Sequence, residues 1–190
     1  MTRAAARPTR ALQRLGVSPN QVTVAATAIG LVAALLVARG HLRVGAAVWV
    51  VGRVIDGLDG LLARASGRTT LFGGFLDISL DMLAYSAMAI GFAQAMPADR
   101  PLWMLVLAGY VMAITTTLAL SSLLERAGRS LGGNRSLQFT AGLAEGGETT
   151  FVYVAIALLP GWSGAILAAW IALLAATMLA RGALAWRVLA

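Results

Sequence analysis

Asp56, Asp59, Asp77 and Asp81 fall within one 26-residue stretch and make up half of the eight acidic residues of the chain. Asp56 and Asp59 are three apart and Asp77 and Asp81 four apart, so on helices each pair shares a face. Two consecutive antiparallel helices would bring those faces together and gather the carboxylates in one cluster. Oxygen-only ligands of this kind select hard cations, Mg²⁺, Mn²⁺ or Ca²⁺. Zinc is a poor match, because the chain has no cysteine and a single histidine, His41, set at the other end of the second apolar segment. Gly57, Gly60, Ala63, Gly73 and Gly74 accompany the acids and let a bulky ligand approach the backbone. Arg64 offers the planar fork that suits phosphate. A hard cation, a phosphate-binding arginine and room for a flat group suit phosphoryl-type transfer, in which positioning and charge neutralisation do most of the work.

The elements that must hold these residues are built for lipid. The chain of 190 residues is 59% hydrophobic and only 12% charged, which predicts an all-α integral membrane protein. Six spans are expected, roughly at 20–39, 43–64, 71–95, 102–124, 138–159 and 164–186, each near the ~20 residues that cross the hydrocarbon core. Arg39-Gly40-His41, Pro97 to Pro101 and Pro160-Gly161-Trp162 punctuate one side, and 65–70 and 125–136 the other. A carboxylate at the centre of a bilayer costs roughly 2.5–3.5 kcal/mol, so four of them near one membrane face call for a bound cation.

All fifteen basic residues are arginine. With the N-terminus inside, eleven lie on cytoplasmic segments, Arg39, Arg43 and Arg100 lie on outer turns, and Arg53 lies within a span. That bias places both termini in the cytoplasm and the acidic cluster just below the inner surface. The +7 net charge is spread over segment ends, where it meets anionic headgroups, and does not suggest nucleic acid. Trp103 and Trp162 stand beside outer turns, as an aromatic belt requires. Arg3, Arg7, Arg10 and Arg14 recur at helical spacing and predict an amphipathic juxtamembrane helix over 1–17 ahead of a membrane domain over 18–190; Pro8 leaves a disordered basic tail as the other reading. No apolar run directly follows these arginines, so no cleaved signal peptide is expected.

Asp56-Gly57-Leu58-Asp59-Gly60-Leu61-Leu62-Ala63-Arg64, then eight residues, Gly73, three residues, Asp77, three residues and Asp81 resembles the signature of the CDP-alcohol phosphotransferase family, D-x2-D-G-x2-A-R-x8-G-x3-D-x3-D, at every specified position. Ser18-Pro19-Asn20-Gln21-Val22-Thr23 is similar to the segment that opens the family's first span. The resemblance implies a six-span enzyme, active at its cytoplasmic side, that moves a substituted phosphate from a CDP-linked donor to an alcohol and releases CMP. It implies a metal centre of Asp56, Asp59, Asp77 and Asp81 holding two Mg²⁺ or Mn²⁺ ions, with Asp81 also the general base. Asp56, Gly60, Ala63, Arg64 and Gly73 would form the CDP pocket, and a homodimer is common in the family.

The segments G-G-F-L-D-x3-D-x3-Y and G-L-x-E-G-x-E-T look like a bacterial inner-membrane subgroup, with Met82 where many members have Lys or Arg. Glu145 and Glu148 would line an acceptor pocket or pair with Arg135 or Arg53 at a helix end. Arg126, Arg129 and Arg135 would bind an acceptor phosphate or serve only as topology residues. Arg53 is expected to balance charge with Asp56 or a glutamate. The reading is phosphatidyl transfer from CDP-diacylglycerol to a small polar alcohol, glycerol 3-phosphate first, then inositol phosphate and serine. CDP-choline-type transfer to diacylglycerol is the alternative, and a cation transporter the rival from another class.

Overall fold

The computed structural model describes residues 17–66, 70–128 and 146–189, with the backbone alone over 58–66. The described residues are helical, without strands: α1 Pro19–Ala38, α2 Leu42–Ser66, α3 Leu71–Ala95, α4 Arg100–Arg126, α5 Gly146–Leu158 and α6 Ser163–Leu189. Single 3₁₀ turns at Pro97–Asp99 and Pro160–Trp162 precede α4 and α6. Every described helix lies where the apolar runs predict it. The N-terminal 1–16 and the stretch 138–145, which the sequence assigns to a surface helix and to the start of the fifth span, lie outside the described residues.

Four helical segments are long and apolar enough to cross a membrane: Pro19–Ala38, Leu71–Ala95, Pro97–Arg126 and Pro160–Leu189. The described part of α5 is shorter, 13 residues. α2 has the length, 25 residues, but Arg43, Arg53, Asp56, Asp59 and Arg64 interrupt its apolar character. Six helices are therefore described, and four have a span's composition.

The chain divides into two compact units, Met1–Ala95 and Met96–Ala190. In the first, local chemistry sets the helix ends. Ser18 caps α1 by a reciprocal pair: its Oγ accepts from the Gln21 N–H (3.3 Å), and Gln21 Oε1 accepts from the Ser18 N–H (2.9 Å). Pro19 follows at a position where its missing N–H is no loss. Gly40, at φ +86°, ends α1 in a left-handed turn, and the His41 N–H reaches back to Leu36 O (3.0 Å). Thr70 caps α3, its Oγ1 accepting from the Gly73 N–H at 2.9 Å.

α1 packs along both α2 and α3, with Val22, Ala26, Ala33, Ala34 and Val37 buried against Trp49, Ala84, Met88 and Phe92. Small residues make this possible. A Cβ on Gly91 would lie 2.5 Å from Ala34 O, and one on Gly45 2.9 Å from Ala33 O. Close backbone approach of this kind is how helices associate where no water drives them together. The hydroxyls of Thr23 and Thr27 donate to carbonyls one turn back, Pro19 O and Thr23 O, so these two hydroxyls are satisfied within the packed face.

In the second unit α4 and α6 pack together, with α5 against α6. Trp103 is fully buried, its ring 6.0 Å from that of Tyr153, and the Tyr110 and Tyr153 hydroxyls are 3.0 Å apart. Trp103 is thus a packing residue and not the interfacial anchor expected from its place beside a turn; Trp162 is 69% exposed. The Ser163 hydroxyl donates to the Asp99 carboxylate.

Candidate metal centre and active site

Two helix faces of the first unit carry the site. On α2, Trp49, Arg53 and Asp56 recur at spacings of four and three; on α3, Asp77, Asp81 and Tyr85 recur at four. Because the helices run in opposite directions, these series oppose each other rung by rung. The Trp49 and Tyr85 rings meet edge to face at 5.3 Å. One rung on, Arg53 Nη1 donates to Asp81 Oδ1 (2.5 Å) and to Asp56 Oδ2 (3.4 Å). Beyond it, one carboxylate oxygen each of Asp56, Asp77 and Asp81 lie within 4.8 Å of one another.

That spacing suits a hard divalent ion. Ligand oxygens on opposite sides of one ion are about 4.1 Å apart for Mg²⁺ and up to about 5 Å for Ca²⁺. Three oxygens within 4.8 Å therefore reach a single ion with slight closure, and the absence of sulfur or imidazole among them fits the same class. Asp56, with a side chain 17% exposed, is the partly enclosed corner of the cluster.

Asp59, Gly60, Ala63 and Arg64 continue α2 past Asp56, but their side chains lie outside the described ones. Gly73 stands in the first turn of α3 against α1, where an added Cβ would meet Thr70 Oγ1 at 3.1 Å and Asn20 Oδ1 at 3.2 Å. Of the acceptor candidates, Arg126 is exposed in the last turn of α4 and Glu148 is exposed in the first turn of α5. Arg129, Arg135 and Glu145 lie outside the described residues.

The structure brings in residues that the sequence reading left aside. Trp49 and Tyr85 frame the Arg53 guanidinium, 4.9 Å and 5.3 Å from their ring centres; the signal was Trp49 four residues before Arg53 and Tyr85 four after Asp81. Arg181, counted among the arginines of cytoplasmic segments, is 9% exposed. It donates to Ala113 O (2.7 Å) and Thr116 Oγ1 (3.2 Å) of α4, so its backbone partner holds it inside the helical packing.

A family profile described as CDP-alcohol phosphatidyltransferase matches residues 16–186. The chain is 35% identical over 159 residues to the inner membrane protein YnjF of Escherichia coli, covering 80% of this chain and 75% of that protein. It is 36% identical over 156 residues to the phosphatidylinositol phosphate synthase of Mycobacteroides abscessus, covering 81% and 68%. Its fold is similar to that of the phosphatidylinositol phosphate synthase of Mycobacterium tuberculosis. The complex of that enzyme with manganese and citrate aligns with a TM-score of 0.73 and 25% identity, over 96% of this chain and 88% of that one. The form with CDP-DAG bound gives 0.74 and 24%, over 97% and 94%.

Proposed function

The chain belongs to the CDP-alcohol phosphatidyltransferase family, and from that premise we propose that it transfers a phosphatidyl group from CDP-diacylglycerol to a small polar alcohol. The observation that carries this reading is the Asp56, Asp77 and Asp81 cluster inside the family's own frame. Family membership makes the chain an enzyme and sets aside the ion-path reading of the aspartates.

In this reading Asp56, Asp59, Asp77 and Asp81 would hold Mg²⁺ or Mn²⁺, and the ion would supply charge neutralisation at the donor diphosphate that makes CMP a better leaving group. Manganese in the mycobacterial neighbour supports a divalent ion. Asp81 accepts the proton of the acceptor hydroxyl; the oxygen forms its bond to the phosphatidyl phosphorus as the bond to the CMP oxygen breaks. Gly60, Ala63, Arg64 and Gly73, with Asp56, cradle the CDP moiety. CDP-DAG in the mycobacterial neighbour supports a lipid donor over CDP-choline-type chemistry.

We assign six spans in a bacterial inner membrane, with both termini and the aspartates at the cytoplasmic side. α2 then spans because Arg53 and Asp56 face the site and each other instead of lipid, the usual place for ionisable residues in a membrane. The arginine distribution and the Escherichia coli relative's inner-membrane name support this. The juxtamembrane helix over 1–17, the membrane domain over 18–190 and a homodimer complete the proposal.

Among acceptors, the relatives named for phosphatidylinositol phosphate move inositol phosphate ahead of glycerol 3-phosphate, reversing the order taken from sequence; serine comes third. Purified protein given CDP-diacylglycerol, Mn²⁺ and each acceptor in turn is expected to release CMP with inositol phosphate, with the lipid product identified by mass spectrometry. No CMP with any acceptor, or turnover only of CDP-choline with diacylglycerol, would sink the reading.

Arg126, Arg129 and Arg135 are proposed to bind the acceptor phosphate, and Glu145 and Glu148 its hydroxyls. For the exposed Arg126, Arg126→Ala is expected to raise the acceptor KM about tenfold, one charge-assisted contact, with the donor KM unchanged. An unaltered acceptor KM would return Arg126 to a topology role.

A further inference from the structure

Arg53 is the one cation among the described residues that touches the carboxylate cluster. Its side chain is 11% exposed and has Trp49 at 4.9 Å and Tyr85 at 5.3 Å from its guanidinium carbon. Cation–π attraction to two rings, with the ion pairs to Asp56 and Asp81, holds the guanidinium where it stands. A single nitrogen, Nη1, serves both Asp56 and Asp81. The same two residues supply two of the three oxygens that lie within reach of one ion.

We propose that Arg53 is the internal counter-cation of this centre, a positioning residue that holds Asp56 and Asp81 together without metal and competes with the divalent ion for their charge. The inference rests on the metal-centre reading above. Its physical basis is sign and distance. Three carboxylates crowded within 4.8 Å repel one another unless a positive charge is present. Arg53 supplies that charge permanently, since guanidinium does not deprotonate in proteins. When an ion enters, it meets carboxylates already partly neutralised and a fixed positive charge beside them, so it binds less tightly than the bare cluster would bind it. The arrangement keeps the site assembled between metal-binding events.

The test is Mn²⁺ binding followed by electron paramagnetic resonance on the full-length, metal-stripped protein in detergent, a readout independent of turnover. Arg53→Met, which removes the charge and keeps the apolar stem, is expected to bind Mn²⁺ about tenfold more tightly than wild type. Arg53→Lys, which keeps the charge, is expected to stay within about threefold of wild type. A residue that merely fills space would leave affinity unchanged or weaken it on removal. Folded Arg53→Met protein that binds Mn²⁺ no more tightly than wild type overturns the proposal. Should that variant fail to fold, Arg53→Gln, which removes the charge and keeps a polar side chain able to donate to Asp81, decides: tighter Mn²⁺ binding than wild type supports the proposal, and unchanged or weaker binding overturns it. Failure of the underlying reading has a different signature. Wild-type protein that binds no Mn²⁺, or binds it equally well as Asp56→Asn and Asp81→Asn variants, removes the metal centre itself, and the Arg53 proposal with it.

Discussion

Asp81→Asn is expected to lower kcat at least about 10³-fold while leaving the affinity for CDP-diacylglycerol within a few fold. The change is nearly isosteric. Asparagine keeps an oxygen that accepts from Arg53 Nη1, the partner now 2.5 Å from Asp81 Oδ1, so the α2–α3 contact survives. What disappears is a carboxylate able to take a proton from the acceptor hydroxyl, a loss of about 10²–10⁴ for general-base catalysis, together with one negative charge in the metal cluster. The two losses separate by titration. If Asp81 acted only as a ligand, saturating Mn²⁺ would restore turnover; as the base, it leaves turnover low at every Mn²⁺ concentration. Single-turnover CMP formation, beside direct binding of CDP-diacylglycerol, measures both. Near-normal turnover at saturating metal would remove the base assignment.

The positions of the helices and of the acids were legible because the signals are local. Proline and glycine stop helices wherever they fall, and Pro97, Pro160 and Gly40 set the described boundaries within a residue or two of those read from sequence. The Asp spacing placed each pair on one face, and three of the four carboxylates lie in the described cluster. The partnerships around them were less legible. Adjacency in sequence brought the faces of α2 and α3 together, and they do meet, Arg53 with Asp81 and Trp49 with Tyr85; that both also pack along α1 was not read. That packing depends on Gly45 of α2 and Gly91 of α3 facing the backbone of α1, a pairing that periodicity does not encode. The burial of Trp103 and Arg181 was missed for a related reason. Both are amphipathic side chains near helix ends, where the sequence pattern reads the same for a residue at the rim and one turned inward. Burial was decided by Tyr153 and by Ala113 O on other helices.

Gly91→Ala, a change of one methyl group, is expected to destabilise the protein by about 2–3 kcal/mol, and Gly91→Leu to leave no folded protein. In an isolated helix the alanine would be favoured by about 1 kcal/mol, so the sign is set entirely by the neighbour. The added Cβ would lie 2.5 Å from Ala34 O, 3.3 Å from its carbonyl carbon and 3.5 Å from its Cα. These are backbone atoms of α1, with no rotamer to change, so the helices must move apart along a face where Ala33, Ala34, Val37 and Phe92 are all buried. Gly182→Ala on α6 is the matched control: its Cβ meets nothing within 4 Å, and its melting temperature should hold or rise. Tryptophan-monitored thermal unfolding in detergent compares the two, and equal melting temperatures would show that α1 and α3 do not approach so closely. Gly91 lies ten residues from Asp81, about 15 Å along α3. The folded fraction of Gly91→Ala should therefore keep its substrate KM values and lose only heat resistance, which assigns this glycine to the scaffold that carries the aspartates and not to their chemistry.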